Sequence, residues 1–217
     1  MNPVYYGGWL FFRAFFRIGF RCRCFNANRV PASGPVILAS NHASYFDPPL
    51  VGSSLERSIN YLARDSLFRF PVLGWLLRQW DSVPVDRDGG GAAGLRAIFD
   101  RLQAGGAILL FPEGTRTSNG DFLPPRSGLG LVAIKSTAPV VPVRIFGTYE
   151  AYGRHMRIPV PRPVRVKFGQ PIWFESQRAE AKRCSKARLK EIYQEVAKQI
   201  MVEISNLQPC EDKVSFP

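Results

Sequence analysis

The chain holds only two histidines, so any imidazole proton transfer near neutral pH falls to His42 or His155. His42 lies in Ser40-Asn41-His42-Ala43-Ser44-Tyr45-Phe46-Asp47, with a carboxylate five residues on. If a turn or a first helical turn separates them, Asp47 reaches back to Nδ1, fixes the tautomer and stabilises the imidazolium. Nε2 is then free as a general base. This is the base-and-orienter half of a triad, with no obligatory protein nucleophile. It suits an incoming hydroxyl that loses its proton as it attacks an activated acyl group. The plainer alternative is a turn histidine, with Asp47 capping a following helix. Ser44 lacks the strand–Gly-x-Ser-x-Gly–helix elbow of a nucleophile, and a turn-stabilising hydroxyl fits it better. His155 sits in a basic tract with no carboxylate close in sequence, and reads as structural or exposed.

A second group is Phe111-Pro112-Glu113-Gly114-Thr115-Arg116. Gly114 permits an unusual dihedral or a close backbone approach beside a ligand. Arg116 offers a planar fork matched to phosphate, and Glu113 could bond a polyol hydroxyl or pair with Arg116. Arg87, in Val83-Pro84-Val85-Asp86-Arg87, is a weaker phosphate candidate. The glycines at 89–91 are not a phosphate-cradling loop, since no Gly-Lys-Ser/Thr follows. The four cysteines have no zinc-ligand spacing, and no metal site is expected.

These groups need elements to hold them. Apolar runs at 36–39, 59–63, 82–85, 107–111, 140–145 and 164–168 read as strands. Helical patterns fall at 72–80, 91–103, 129–136 and 178–206, the last with Leu189, Ile192, Val196, Ile200 and Ile204 on one stripe. Strands alternating with helices predict an α/β fold: a mostly parallel sheet flanked by helices. Both motif loops follow buried strands, so both should open on the carboxyl edge of that sheet, where such folds place their sites.

The net charge is +12, with 29 Lys+Arg against 17 Asp+Glu. An excess of this size implies an anionic partner: nucleic acid, a membrane surface or a phosphorylated substrate. The first 29 residues carry five arginines and no acid, interleaved with Trp9, Phe11, Phe12, Phe15, Phe16 and Phe20. No uncharged stretch there is long enough to span a bilayer. The pattern predicts an amphipathic helix in the membrane interface, its apolar side chains in lipid and its arginines toward anionic headgroups. A core-packed helix is the alternative. Between residues 154 and 190, 11 Lys+Arg face two acids, a surface suited to anionic lipid, coenzyme A phosphates or an acidic carrier protein. Nucleic acid is disfavoured, because no recognised reading motif occurs.

Taken in order, Asn41-His42 to Asp47, Val85-Asp86-Arg87, Phe111 to Arg116 and Val141-Pro142-Val143 resemble the 1-acyl-glycerol-3-phosphate acyltransferase family, with its N-H-x-x-x-x-D motif, over residues 35–172. The family's basic-x-Gly element is represented by Arg126-Ser127-Gly128. The resemblance implies transfer of a fatty acyl group from acyl-CoA or acyl carrier protein to lysophosphatidate, giving phosphatidate. It makes His42 the general base and Asp47 its orienter. It places Asn41, Ser44, Arg87, Glu113, Gly114, Thr115, Arg116 and Arg126 at the substrate. It calls for no metal or other cofactor, because the thioester carries the activation. Acyltransferases with another acceptor (glycerol-3-phosphate or a lysophospholipid) and a His-Asp hydrolase remain alternatives. The expected organisation is a membrane-interface segment at 1–30 and an acyltransferase domain at 31–217. The expected location is the cytoplasmic face of the inner or plasma membrane, in a monotopic mode.

Overall fold

Side chains of the strand β2 (Val36–Ser40) alternate between two cores, as a strand buried on both faces must. Val36 and Leu38 enter one, with Phe16, Leu50 and Phe168; Ile37 and Ala39 enter the other, with Ile192, Val196 and Ile200. The computed structural model describes residues 1–85 and 92–210. Beside β2 lie β5 (Ala107–Leu110) and β6 (Val140–Phe146), both parallel to it, in registers Val36↔Ala107 and Ile37↔Val140. β3 (Ile59–Arg64) and β4 (Ser82–Val85) extend the parallel run beyond β5. On the other side, β7 (Arg165–Phe168) runs antiparallel to β6, and β1 (Arg23–Phe25) runs parallel to β7. The sheet order is β1-β7-β6-β2-β5-β3-β4, the mostly parallel α/β arrangement expected from the strand–helix alternation.

Helices cover both faces. α1 (Pro3–Gly19) and α2 (Asp47–Ser53) pack on one face; α4 (Ala92–Gln103), α5 (Ser127–Lys135) and α8 (Lys186–Asn206) pack on the other. α3 (Pro71–Gln79) lies between β3 and β4, α6 (Thr148–Tyr152) follows β6, and α7 (Glu175–Ala181) precedes α8. The helix expected over 178–206 is thus two helices. Ser185 breaks it, its hydroxyl accepting the Arg188 amide at 3.2 Å as the cap of α8.

The N-terminal region departs most from expectation. α1 is capped by Asn2, whose side chain accepts the Tyr5 amide at 2.8 Å, and it stops at Gly19. Arg21 then takes a positive φ of 47°, and the chain turns into β1. Phe16 and Phe20 are buried in the core, with Phe12 and Phe15 packed against it. The boundary drawn at residue 30 therefore has no structural counterpart, since α1 and β1 belong to the same core and sheet as the rest. Yet α1 is apolar on its other side too: Leu10, Phe11 and Ile18 are exposed. Core packing and an outward apolar stripe coexist on one helix, because it carries only two charged residues, Arg13 and Arg17. No helix among the described residues is long and apolar enough to cross a membrane.

α5 and α8 approach closely at Gly130, where a Cβ would collide with the Tyr193 carbonyl. Gly130→Ala is expected to destabilise the protein by about 1–3 kcal/mol, read as a lowered thermal midpoint, because neither helix backbone can give way cheaply.

Candidate active site

β2 lies between two parallel neighbours, so the loops after β2, β5 and β6 all leave the sheet at its carboxyl edge. The chemistry-bearing residues sit on these loops. Asp47 opens α2 and is fully buried. Its Oδ2 accepts the Ala43 amide at 2.6 Å and the Ser44 amide at 2.7 Å, and lies 2.9 Å from His42 Nδ1. Its Oδ1 accepts the Thr148 hydroxyl at 2.7 Å. Because Asp47 Oδ2 already accepts two backbone amides, the geometry assigns the donor role in the pair to His42 Nδ1, which leaves Nε2 as the acceptor nitrogen. The imidazole stacks on Phe111, with ring centroids 3.8 Å apart, and its side chain is 14% exposed, enough for a substrate to reach.

The loop after β5 supports this pair from behind. Glu113 is 3% exposed; its Oε1 accepts the His42 amide at 2.8 Å and its Oε2 accepts the Leu123 amide at 2.9 Å. Burial pushes its carboxyl above the ordinary value, against the pull of the two amides. Each oxygen already serves a backbone amide, so Glu113 braces the histidine loop where a substrate hydroxyl contact was expected. It forms no ion pair with Arg116 among the described residues. Thr117 adds a second tie, its amide donating to the His42 carbonyl at 3.0 Å.

Two further expected substrate contacts are also struts. Asn41 is buried, donates to the Ile145 carbonyl at 3.1 Å and accepts the Ile145 amide at 2.8 Å, extending the β2–β6 ladder by a side chain. Ser44 is fully buried, donates to the Tyr152 carbonyl at 2.6 Å and accepts the Phe46 amide at 3.0 Å.

The arginines behave differently. Arg116 lies over the ring of Tyr45, Cζ 3.5 Å from its centroid, and its Nη1 is buried with no hydrogen-bond partner among the described residues. Arg116 beside it holds the Tyr45 hydroxyl below its ordinary value, with a smaller pull from Arg154. Gly114 has φ +69°, and a Cβ there would lie 2.9 Å from Arg126 Cδ, so the glycine lets Arg126 cross the loop. Thr115 is half-buried between them. Arg87 lies outside the described residues.

Tyr45 also lines an apolar cavity of about 320 Å³, walled by Trp9 and Phe12 of α1, Pro49 of α2, Ala63 of β3 and Trp80 after α3. The cavity thus opens three residues from His42 in sequence, on the ring that carries Arg116. The basic tract at 154–190 is only partly free. Arg188 pairs with Glu180 and Glu195, Arg178 is spent on the Ala133 and Ala138 carbonyls, and Lys167 donates to the Cys210 carbonyl. Arg154, Arg157 and Arg162 remain exposed, as does His155 beside Tyr149.

The acyltransferase family model matches residues 21–146, more than half of the chain, including the loops after β2 and β5. The chain belongs to the acyltransferase family. Within that family it is 31% identical over 116 residues to a chloroplastic 1-acyl-sn-glycerol-3-phosphate acyltransferase of Brassica napus, covering 52% of this chain and 33% of that protein. It is 29% identical over 126 residues to the Bacillus subtilis 1-acyl-sn-glycerol-3-phosphate acyltransferase, covering 58% and 62%. The chain therefore spans a third of the length of the plant relative and under two thirds of the bacillar one. The crystal structure of PlsC, the 1-acyl-sn-glycerophosphate acyltransferase of Thermotoga maritima, superposes with a TM-score of 0.71 at 25% identity, over 94% of this chain and 80% of that one.

Thr148 lies outside the motifs read from the sequence, and Phe111 and Tyr45 were given no role within them. Thr148 had a findable signal: it follows Gly147 after a third buried strand parallel to β2, the same position that flagged the other two loops. Thr148→Val leaves the buried Asp47 Oδ1 without its donor and is expected to cost about 1–3 kcal/mol in chemical denaturation, whereas Thr148→Ser retains most of the stability.

Proposed function

We propose that the protein transfers a fatty acyl group from a thioester donor, acyl-CoA or acyl carrier protein, to the free hydroxyl of 1-acylglycerol-3-phosphate, yielding phosphatidate. The observation that carries this reading is the His42–Asp47 pair, with Nδ1 2.9 Å from the buried carboxylate, which suits His42 as a base acting through Nε2. Tyr45, three residues on from His42, lines an apolar cavity and lies under Arg116, which carries a buried unpartnered donor. Relatives named as 1-acyl-sn-glycerol-3-phosphate acyltransferases support the acceptor.

In the proposed step the acceptor hydroxyl donates to His42 Nε2. The imidazole takes the proton as the oxygen attacks the thioester carbonyl carbon, and Asp47 stabilises the imidazolium. Collapse of the tetrahedral adduct breaks the carbon–sulfur bond, and the imidazolium returns its proton to the leaving thiolate. The free thiol and the new ester account for all atoms. Arg116 binds the acceptor phosphate, with Arg126 and Arg154 adding positive charge around the same opening. The acyl chain of the donor lies in the apolar cavity behind Tyr45. The outward apolar stripe of α1, on a helix whose charged residues are Arg13 and Arg17, supports a membrane-surface mode in one leaflet, and the proposed side is the cytoplasmic face.

His42→Ala should lower transfer to lysophosphatidate by about 100- to 10,000-fold while the fold persists. Undiminished transfer by the folded variant would remove His42 as the base. Ala63→Phe puts a ring into the cavity, and in a mixed donor pool the acyl chains of the product should shorten. An unchanged chain-length profile by mass spectrometry would place the acyl chain elsewhere.

A further inference from the structure

The connection between β3 and β4 leaves large apolar side chains in water. Phe70 is 61% exposed, Val72 79% and Trp75 52%, within six residues at the start of α3. Scattered exposed apolar residues are ordinary, but a cluster of this size and kind marks a contact surface. Gly74 is the one buried residue of α3, and a Cβ there would collide with the Phe68 carbonyl. The helix is therefore held tightly against the preceding turn, and its exposed side chains are not free to fold back. Leu77 and Trp80, on its other side, line the apolar cavity.

Position and charge identify the occupant. α3 runs beside α1: the Asn2 side chain donates to the Gln79 carbonyl at 2.8 Å, and the Phe12 and Trp80 rings lie 5.8 Å apart. Gly8 of α1 faces the Trp80 indole, where a Cβ would lie 2.7 Å from Nε1. The exposed apolar stripe of α1, Leu10, Phe11 and Ile18, is therefore continued sideways by Phe70, Val72 and Trp75. Residues 66–80 share the composition of the first 29: aromatic and aliphatic side chains, arginine as the charged residue and no acid. Arg69 and Arg78 border α3 and are exposed, Arg69 within 3.5 Å of the Asp65 carboxylate that precedes this stretch and Arg78 over the Phe68 ring. A tryptophan with aliphatic neighbours and arginine flanks matches the lipid–water boundary, where an indole places its ring in the acyl layer and its N–H among headgroups.

We infer that α3 is a second lipid-docking element, with Phe70, Val72 and Trp75 entering the headgroup–acyl boundary of an anionic bilayer alongside α1 while Arg69 and Arg78 meet lipid phosphates. The inference rests on the reading of α1 as membrane-bound and extends it to a part of the chain remote in sequence. Two contacts on one rigid body bind far more tightly than either alone. α1 and α3 also wall the same cavity, so their joint docking sets that cavity against the acyl layer.

The test uses the whole chain with mixed phosphatidylcholine–phosphatidylglycerol vesicles in a sedimentation assay. The variant Phe70→Ser/Val72→Ser/Trp75→Ser is expected to bind about tenfold to a hundredfold more weakly than the wild type. Its thermal midpoint without lipid should stay close to that of the wild type, since the three side chains are exposed. Brominated lipids should quench a Trp75 contribution, seen as the difference between the wild type and Trp75→Phe. This second readout decides the matter if the triple variant fails to fold. Wild-type affinity in the folded triple variant, or no Trp75 quenching, overturns the α3 inference and leaves the α1 reading standing. A wild type that ignores vesicles overturns both. A wild-type dimer that the triple variant dissolves, with vesicle affinity unchanged, makes a second copy the occupant and overturns the lipid assignment.

Discussion

A carboxylate taken fully out of water costs several kcal/mol unless donors surround it, and Asp47 is such a carboxylate. Two backbone amides, one hydroxyl and one imidazole converge on its two oxygens. Those four partners come from two segments more than a hundred residues apart, the loop after β2 and the start of α6. The carboxylate can be buried there only if both segments are in place. The same contacts that make its burial tolerable also fix where His42 stands and which of its nitrogens carries the proton. Stability and chemistry are set by one side chain.

The sheet makes that convergence possible. β2 is flanked by parallel neighbours on both sides, so three loops emerge together. Each is tied to the next by a buried polar side chain. Glu113 grips the His42 amide from the β5 side, and Asn41 clamps Ile145 from the β6 side. Glu113 holds its place against an unfavourable burial, which raises its own carboxyl pKa. Around this fixed centre lie the groups proposed to meet the ligands: Arg116 over Tyr45, Arg126 across Gly114, and the apolar cavity beyond.

The parts legible in the sequence were those with a local cause. Buried strands announced themselves as continuous apolar runs, and the loops after them as the site. The spacing of His42 and Asp47 was enough to propose their pairing. The turn role of Ser44 was legible, but the bracing bonds of Asn41 and Glu113 were not, because a polar residue in a motif looks the same whether it faces a substrate or a neighbouring strand. Only the tertiary pairing, Asn41 with Ile145 or Glu113 with Leu123, separates the two. The N-terminal helix illustrates the same limit. Its aromatic density was visible, but that the density serves two faces at once, a core at Phe16 and an open stripe at Ile18, depends on where α2 and α3 lie. β1 was hidden for a related reason, since three residues that begin with Arg23 carry little strand pattern until β7 supplies a partner.

The central claim is that buried Asp47 holds His42 as the Nδ1–H tautomer with Nε2 free. Two histidines make the imidazole nitrogen spectrum simple enough to assign outright. Long-range proton–nitrogen NMR of the neutral protein should show His42 protonated at Nδ1 and bare at Nε2, with that preference lost in Asp47→Asn. A wild-type His42 protonated at Nε2 would contradict the account, because the nitrogen meant to accept the substrate proton would already hold one.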